Sequence, residues 1–339
     1  MKPAEPTDVR LSEPVLPTGR GELSDGALRA LRSSEGESLL PSGRAVDQAD
    51  PYGEDLHLAL YLCYELHYRG FQGVDPAWEW HPALLGLRAG LERRFLDALR
   101  SDTEVRPHSA DEAFEGILAE PVNGTGLTYF LRDEGELWQL REYAAQRSLY
   151  HLKEADPHAW VIPRLRGRAK AAMVAVEFDE FGGGRADRMH SRLFADLMTD
   201  LGLDTAYGRY LDASTGEMLA VVNLMSMFGL HRALRGALVG HFAAVEVTSS
   251  PASRRLAEAM RRTDAGAAAV HFYAEHVEAD AVHEQVVRRD VVGGLLEDEP
   301  WLEADVAFGV AATDLLDARI GERTLAAWRA GRTSLRTPL

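Results

Sequence analysis

Three polar side chains in the segment HVEADAVH could act together on one ligand: His276, Asp280 and His283. If the segment is helical, Asp280 lies about 40° and His283 about 20° from His276 around the helix axis. Imidazole and carboxylate groups together suit iron, manganese or zinc. The spacing therefore fits a metal-binding face. A solvent-exposed face is the alternative, because glutamates flank all three residues.

The surroundings of this segment indicate partial burial, since the apolar run GAAAV precedes it. Buried histidine and aspartate side chains are costly unless they are paired or bind a metal. A centre with two metal ions needs further ligands from other helices. Glu246 is notable because it stands within the apolar stretch HFAAVEVTSS. The other candidates, each of which could also be structural, are Glu154, Glu177, Glu180 and His190.

The elements that must position these residues are predicted to be helices. Apolar residues recur at spacings of three and four from residue 52 onward, as in DLHLALYLCYELHYRGF, and alternating strand patterns are scarce. The segment AVEVTSS has strand-like composition but continues an apolar helical run. The chain is therefore predicted to be all-α.

Residues 1–50 differ in composition from the rest of the chain. They hold five of the fifteen prolines among Ser, Gly and charged residues, which predicts a disordered leader. The alternative is a capping segment docked on the core. The remainder, residues 51–335, is expected to form a single domain with an N-terminal helical extension over about 51–130.

Composition limits the classes of function. The net charge of −16 disfavours nucleic acid and anionic membranes as partners, since both would repel the chain. The sequence contains no run of 18 apolar residues, which a membrane span would require. Residues 1–10 lack the apolar core of a signal peptide. Cys63 is the single cysteine, so a reducing, cytoplasmic location is expected.

Several separated segments together resemble one family, the heme-oxygenase-like diiron oxidases and oxygenases, or iron-containing redox enzymes. They are the long run that begins HLKEADPHAW and ends RMHSRLF, the segment GHFAAVEVTSSPASRRLAEAMRR, and HVEADAVH. The resemblance covers roughly residues 52–325. It implies a bundle of about seven core helices, here with additional N-terminal helices.

The resemblance also implies a ligand set for two ferrous ions: Glu154, Glu180, His190, Glu246, His276, Asp280 and His283. Four carboxylates and two ferrous ions would nearly cancel in charge, which limits the cost of burial. Glu177, one turn before Glu180, is the rival for that position. Three glycines, Gly182 to Gly184, separate Glu180 from His190, so the helix is expected to break there.

The function implied by the resemblance is oxidation of a small organic substrate with two Fe²⁺ ions and dioxygen as cosubstrate. Substrates in such a family include amino acids, amines and fatty acids, and outcomes include N-oxygenation, desaturation and carbon–carbon cleavage. A role in specialised metabolism is a fair expectation. The reaction can require an electron donor, and a homodimer is an option that the sequence leaves open.

Other assignments are weaker. A ferritin-like bundle normally supplies two Glu-x-x-His pairs, but only Glu54 and His57 form such a pair here. Heme is a less suitable ligand than metal ions for an interior filled with carboxylates. A non-catalytic protein that stores or senses iron, and a helical interaction bundle with no metal, are the alternatives from other classes of function.

Overall fold

The computed structural model describes residues 13–33, 36–103, 109–118 and 124–339. Across these ranges the chain is helical and contains no β-strand, so the all-α prediction is confirmed. The helices are α1 (Glu22–Leu31), α2 (Gly43–Gln48), α3 (Glu54–Glu65), α4 (Pro82–Thr103), α5 (Ala110–Leu118), α6 (Leu127–Asp133), α7 (Leu137–His151), α8 (Asp156–Ala159), α9 (Gly167–Glu180), α10 (His190–Asp200), α11 (Gly216–Leu230), α12 (Arg235–Arg262), α13 (Ala267–Val286), α14 (Gly293–Asp298) and α15 (Glu303–Arg329).

Helix α12 is the central element of the bundle. It packs most extensively against α13 and α15, and it includes the AVEVTSS stretch in helical form. Its apolar residues contribute to two buried clusters. One cluster joins α12 to α1, α3, α4, α5, α9, α11 and α15, and the other joins it to α6, α7, α10 and α13. The polar site described below lies between these two apolar cores.

Two glycines allow α12 and α15 to cross closely. A Cβ atom on Gly240 would overlap the carbonyl oxygen of Val306, and one on Gly309 would overlap the carbonyl oxygen of Ala237. Only the absence of a side chain permits backbones to approach this far. The close crossing holds the middle of α12, which carries Glu246, at a defined position in the bundle.

The predicted disordered leader is corrected for residues 13–33 and 36–50. Helix α1 buries Leu23, Ala27 and Leu28 in the larger apolar cluster. The Asp55 carboxylate of α3 accepts hydrogen bonds from the backbone N–H groups of Leu23 and Ser24. The docked capping segment is thus the better description. Pro41 lies between α1 and α2, and the composition rich in Pro, Ser, Gly and charged residues that suggested disorder is offset by burial against α3. Residues 1–12 lie outside the described residues.

Helices of the predicted N-terminal extension and of the remaining chain share the larger apolar cluster. Helix α3 packs against α11, and α4 packs against α15. A fully buried leucine or phenylalanine contributes about 1.5–3 kcal/mol, and α3 alone buries Leu56, Leu58, Leu60 and Leu62. Within the described ranges, no helix combines the length and apolar composition that crossing a bilayer requires.

Candidate metal centre

Six of the seven predicted ligands lie together in two overlapping groups. Glu154, Glu180, His190 and His276 form one group, and Glu180, Glu246 and His283 form the other. Within each group, one potential ligand atom per residue lies within 4.8 Å of the others. All six side chains are buried. Glu180 belongs to both groups, as a carboxylate that bridges two ions would.

The seventh predicted ligand, Asp280, belongs to α13, but its side chain lies outside the described residues. His276 and His283, on the same helix, both lie among the clustered carboxylates. The Glu-x-x-His pair of Glu54 and His57, which by itself is too little for a ferritin-like site, lies elsewhere. Neither Glu54 nor His57 is part of the cluster, since Glu54 contacts Arg336 and Arg323 and His57 contacts Asn223.

The break between Glu180 and His190 is real. Helix α9 ends at Glu180 and α10 begins at His190. Gly182, Gly183 and Gly184 have φ angles of 70°, 62° and 79°, a left-handed conformation that glycine adopts at least cost. The turn brings His190 Nδ1 to 2.6 Å from Glu180 Oε2, a distance that a continuous helix could not produce.

His276 has the hydrogen bonding of a typical metal ligand. Its Nδ1 lies 2.7 Å from the carbonyl oxygen of Phe272, to which it donates, and its buried Nε2 has no hydrogen-bond partner among the described residues. A metal-bound histidine usually donates its other N–H to a carbonyl or carboxylate in this way. The lone pair of Nε2 is therefore left available for a cation.

His283, like His276, has one ring nitrogen close to a supporting oxygen and the other facing the cluster. Its Nε2 lies 3.2 Å from Asp179 Oδ2, while Nδ1 faces Glu246 at 3.5 Å and Glu180 at 3.7 Å. Burial lowers the pKa of His283, but hydrogen bonds and charge from Glu246, followed by Asp179, outweigh it and raise the pKa to about 9. The surrounding carboxylates thus favour a positive charge at this position, which a metal ion would also supply.

Glu154 lies in the turn that follows α7 and not on the helix. Its Oε2 lies 2.9 Å from His151 Nδ1. Burial raises the pKa of Glu154, but His151, together with His276 and His190, lowers it to about 2. Glu154 is therefore an ionised carboxylate, ready to bind a cation.

Glu177, the rival of Glu180, is buried beside the cluster but belongs to neither group. Both of its carboxyl oxygens lack a hydrogen-bond partner among the described residues. Burial, followed by the charges of Glu180 and Glu246, raises its pKa well above the ordinary range. Burial and the neighbouring carboxylates thus favour the neutral form of Glu177.

The space between the ligands suits a small ion. An internal cavity of about 20 Å³ is bounded by Glu154, Glu180, Glu246 and His276, and a volume of this size can hold about one water molecule. Carboxylate and imidazole donors, an available Nε2 on His276 and a small space between them together fit iron. Heme would not fit in that space.

A larger cavity opens onto the same ligands. It has a volume of about 600 Å³, in the usual range of small-molecule sites, and both Glu154 and His276 are part of its wall. It lies between α7, α12, α13 and α15. Apolar side chains such as Val245, Phe272 and Leu316 make up much of the lining.

Sequence reasoning missed several residues around the centre. His151 contacts Glu154, and Asp179 contacts His283. His158 is buried next to the ligands, and neither of its ring nitrogens has a hydrogen-bond partner among the described residues. The i, i+3 spacing of His151 and Glu154 was a usable signal, whereas Asp179 and His158 meet the site only through packing.

Comparison with known proteins agrees with this geometry. A region of the chain, residues 141–318, matches the family model described as iron-containing redox enzyme. The chain is also similar to nitrosourea synthase from Streptomyces achromogenes subsp. streptozoticus, with 25% identity over 146 residues. That similarity spans 43% of this chain and 31% of the relative. Since the family model covers more than half of the 339 residues and all six clustered side chains, the chain belongs to the family of iron-containing redox enzymes.

Proposed function

We propose that the protein is a non-heme diiron enzyme that uses dioxygen to oxidise a small organic substrate. The reaction either removes electrons from the substrate or adds oxygen to it. The observation that carries the proposal is the pair of overlapping carboxylate–histidine groups that share Glu180. Glu154, His190 and His276 would hold one ion, Glu246, Asp280 and His283 the other, and Glu180 both. Ferrous ions bound there would supply electrons to dioxygen one at a time.

Hydrogen bonds within the protein already orient three of the candidate ligands. His151 orients the carboxylate of Glu154, the carbonyl of Phe272 orients His276, and Asp179 orients His283. Such supporting hydrogen bonds commonly change metal affinity by 10- to 100-fold when they are removed. The apolar lining of the adjoining cavity limits the water that reaches the centre and leaves space for an organic substrate.

The cavity is also the reason to favour an enzyme over a protein that stores or senses iron. A storage site needs ligands and a path for ions, but it does not need a cavity of about 600 Å³ with two candidate ligands in its wall. The relative named nitrosourea synthase supports an enzymatic role. Amino acids, amines and fatty acids are all substrate classes that this cavity could admit by size.

The test has two parts. Metal-free protein titrated anaerobically with Fe²⁺ should bind two ions per chain, and His276→Ala should lose at least one. Oxygen uptake by the iron-loaded protein should then rise with at least one member of a panel of amino acids, amines and fatty acids. Two ions without any substrate-dependent oxygen uptake would favour storage or sensing, and failure to bind iron would reject both functions.

A further inference from the structure

The wall of the 600 Å³ cavity contains a second polar group besides Glu154 and His276. On α7, Tyr143 and Arg147 are four residues apart, so they lie on one helix face, and both line the cavity. Glu154 follows in the turn after α7. We call the part of the wall at Arg147 its charged end and the part at Glu154 and His276 its metal-binding end.

Arg147 has hydrogen-bonding capacity that the protein does not use fully. Its Nη2 lies 3.6 Å from Asp317 Oδ1, which is longer than a normal hydrogen bond. A guanidinium has five N–H donors and binds a carboxylate through two of them at once. The side chain is 20% exposed and borders the cavity, so these donors are accessible to a ligand.

Tyr273 adds a second donor at the same end. Its hydroxyl is buried, lines the cavity and has no hydrogen-bond partner among the described residues. Burial, followed by Tyr143, raises its pKa well above the ordinary value, while Arg147 lowers it by a smaller amount. Tyr273 is therefore a neutral hydroxyl that can donate a hydrogen bond to an anion.

The charges at this end select among ligand classes. Arg147 and Asp317 together are neutral, so a head group with both a carboxylate and an ammonium would meet an opposite charge for each of its own. A fatty acid carboxylate would also meet Arg147 and Tyr273, but it would lie near the Asp317 carboxylate and carry no positive charge of its own to offset that repulsion. A simple amine would leave Arg147 and Tyr273 without an acceptor.

We infer that the substrate is an α-amino acid, whose carboxylate binds Arg147 and Tyr273 and whose ammonium binds Asp317. The side chain passes the apolar wall formed by residues such as Phe272 and Leu316 and extends toward the metal-binding end. This assignment rests on the proposed function, since it takes the cavity to be that function's substrate site.

The experiment measures binding by calorimetry, without turnover, to metal-free protein and to protein supplied with Mn²⁺ in place of iron. Two matched series isolate the head group. L-norleucine is compared with hexanoate, which lacks the ammonium, and with pentylamine, which lacks the carboxylate. L-lysine is compared with 6-aminohexanoate and cadaverine. In at least one series, the amino acid should bind at least 10-fold more tightly than both analogues.

Variants identify the residues involved. Arg147→Gln should weaken amino acid binding at least 10-fold, and Tyr273→Phe, which preserves shape and packing, should weaken it several-fold. Asp317→Asn should weaken amino acid binding but strengthen hexanoate binding, because the repulsion is removed. A purely structural role for Asp317 would not produce opposite changes. Arg192→Gln, at a partly exposed pair with Asp196 on α10, is the control and should change the binding of neither the amino acid nor hexanoate.

Each outcome bears on one proposal. If hexanoate or pentylamine binds as tightly as the amino acid in both series, or if Arg147→Gln leaves binding unchanged, the substrate assignment is wrong. The proposed function then still stands, provided that two Fe²⁺ ions bind. If the amino acid binds as expected but the protein binds no iron, the assignment of the cavity stands and the proposed function is wrong.

Discussion

Lys153 and Glu154 are adjacent in the chain but belong to two different buried polar clusters, which differ in how fully their charges are compensated. Lys153 donates to Glu65 over 3.0 Å, and Tyr207 donates to the same carboxylate over 2.8 Å. Glu154, the next residue, belongs to the carboxylate–histidine groups. In the first cluster the positive and negative charges are matched and hydrogen-bonded. In the second, carboxylates outnumber the cations that the protein supplies.

The difference separates a structural cluster from a functional one. The Lys153 ammonium also lies 4.2 Å from the ring centroid of Tyr68, so its charge is compensated on several sides. Near Glu154, by contrast, His276 Nε2 and both oxygens of Glu177 have no hydrogen-bond partner among the described residues. Burial of charge is therefore common to both clusters, and only unused bonding capacity marks the site.

The largest expected effect concerns Glu180, because it belongs to both ligand groups. Glu180→Ala should reduce binding from two Fe²⁺ ions to none at micromolar iron, whereas Glu154→Ala and His283→Ala should each affect mainly one ion. Anaerobic titration with a colorimetric iron assay measures the stoichiometry. Glu65→Gln is the matched control from the structural cluster and should still bind two ions. Two ions in Glu180→Ala would refute the shared-ligand assignment.

A large effect on stability is expected in the structural cluster. Glu65→Ala leaves the buried Lys153 ammonium without its carboxylate, which should cost about 3–5 kcal/mol of unfolding free energy. The double variant Glu65→Leu with Lys153→Met should recover most of that loss, because it removes both charges. Urea denaturation of metal-free protein measures both values. A double variant as unstable as Glu65→Ala would show that the pair stabilises the fold by more than mutual compensation.

An intermediate effect concerns His57, which is buried in α3 away from the ligands. Burial is the main reason that its pKa falls from 6.5 to about 3. Between these pH values the unfolded chain binds the proton and the folded chain does not, so stability decreases as pH falls through this window. His57→Gln should reduce the slope of unfolding free energy at pH 5 by about 1.4 kcal/mol per pH unit. Identical slopes in the two proteins would mean that His57 is protonated in the folded state.

The smallest effect is expected at the glycine turn that joins the two candidate ligands Glu180 and His190. Gly183 has a φ of 62°, and a Cβ atom there would make only an ordinary contact with the Phe178 ring, at 3.8 Å, so Gly183→Ala should cost about 1–2 kcal/mol through backbone strain alone. We expect the ion held by His190 to be the more weakly bound one, because the glycine turn positions that residue. With Gly184→Ala added, affinity for this ion should change more than affinity for the other. Ferrous titration of both proteins measures the two affinities, and equal changes at both ions would contradict this expectation.

The sequence was informative wherever one short segment holds the information. The helical pattern was readable because apolar spacing reflects local geometry, and the common face of His276 and His283 follows from their separation on α13. The glycine run correctly indicated a break after Glu180. The composition of residues 1–50 was misleading for residues 13–33 and 36–50, because the docking of α1 on α3 depends on a partner surface more than 20 residues away.

The remaining features were decided by tertiary structure. Periodicity cannot distinguish Glu177 from Glu180, since both lie on nearly the same face of α9, and only the packing of α10 and α12 against that face determines which carboxylate meets His190 and Glu246. The family resemblance linked the distant candidate ligands. The supporting contacts of His151 and Asp179, and the charged end of the cavity at Arg147, could be found only in the folded chain.

Helix formation is set by neighbouring residues, so the sequence by itself determined it. The convergence of side chains from α7, α9, α10, α12 and α13 depends on how two apolar cores pack around them, which is a property of the whole bundle.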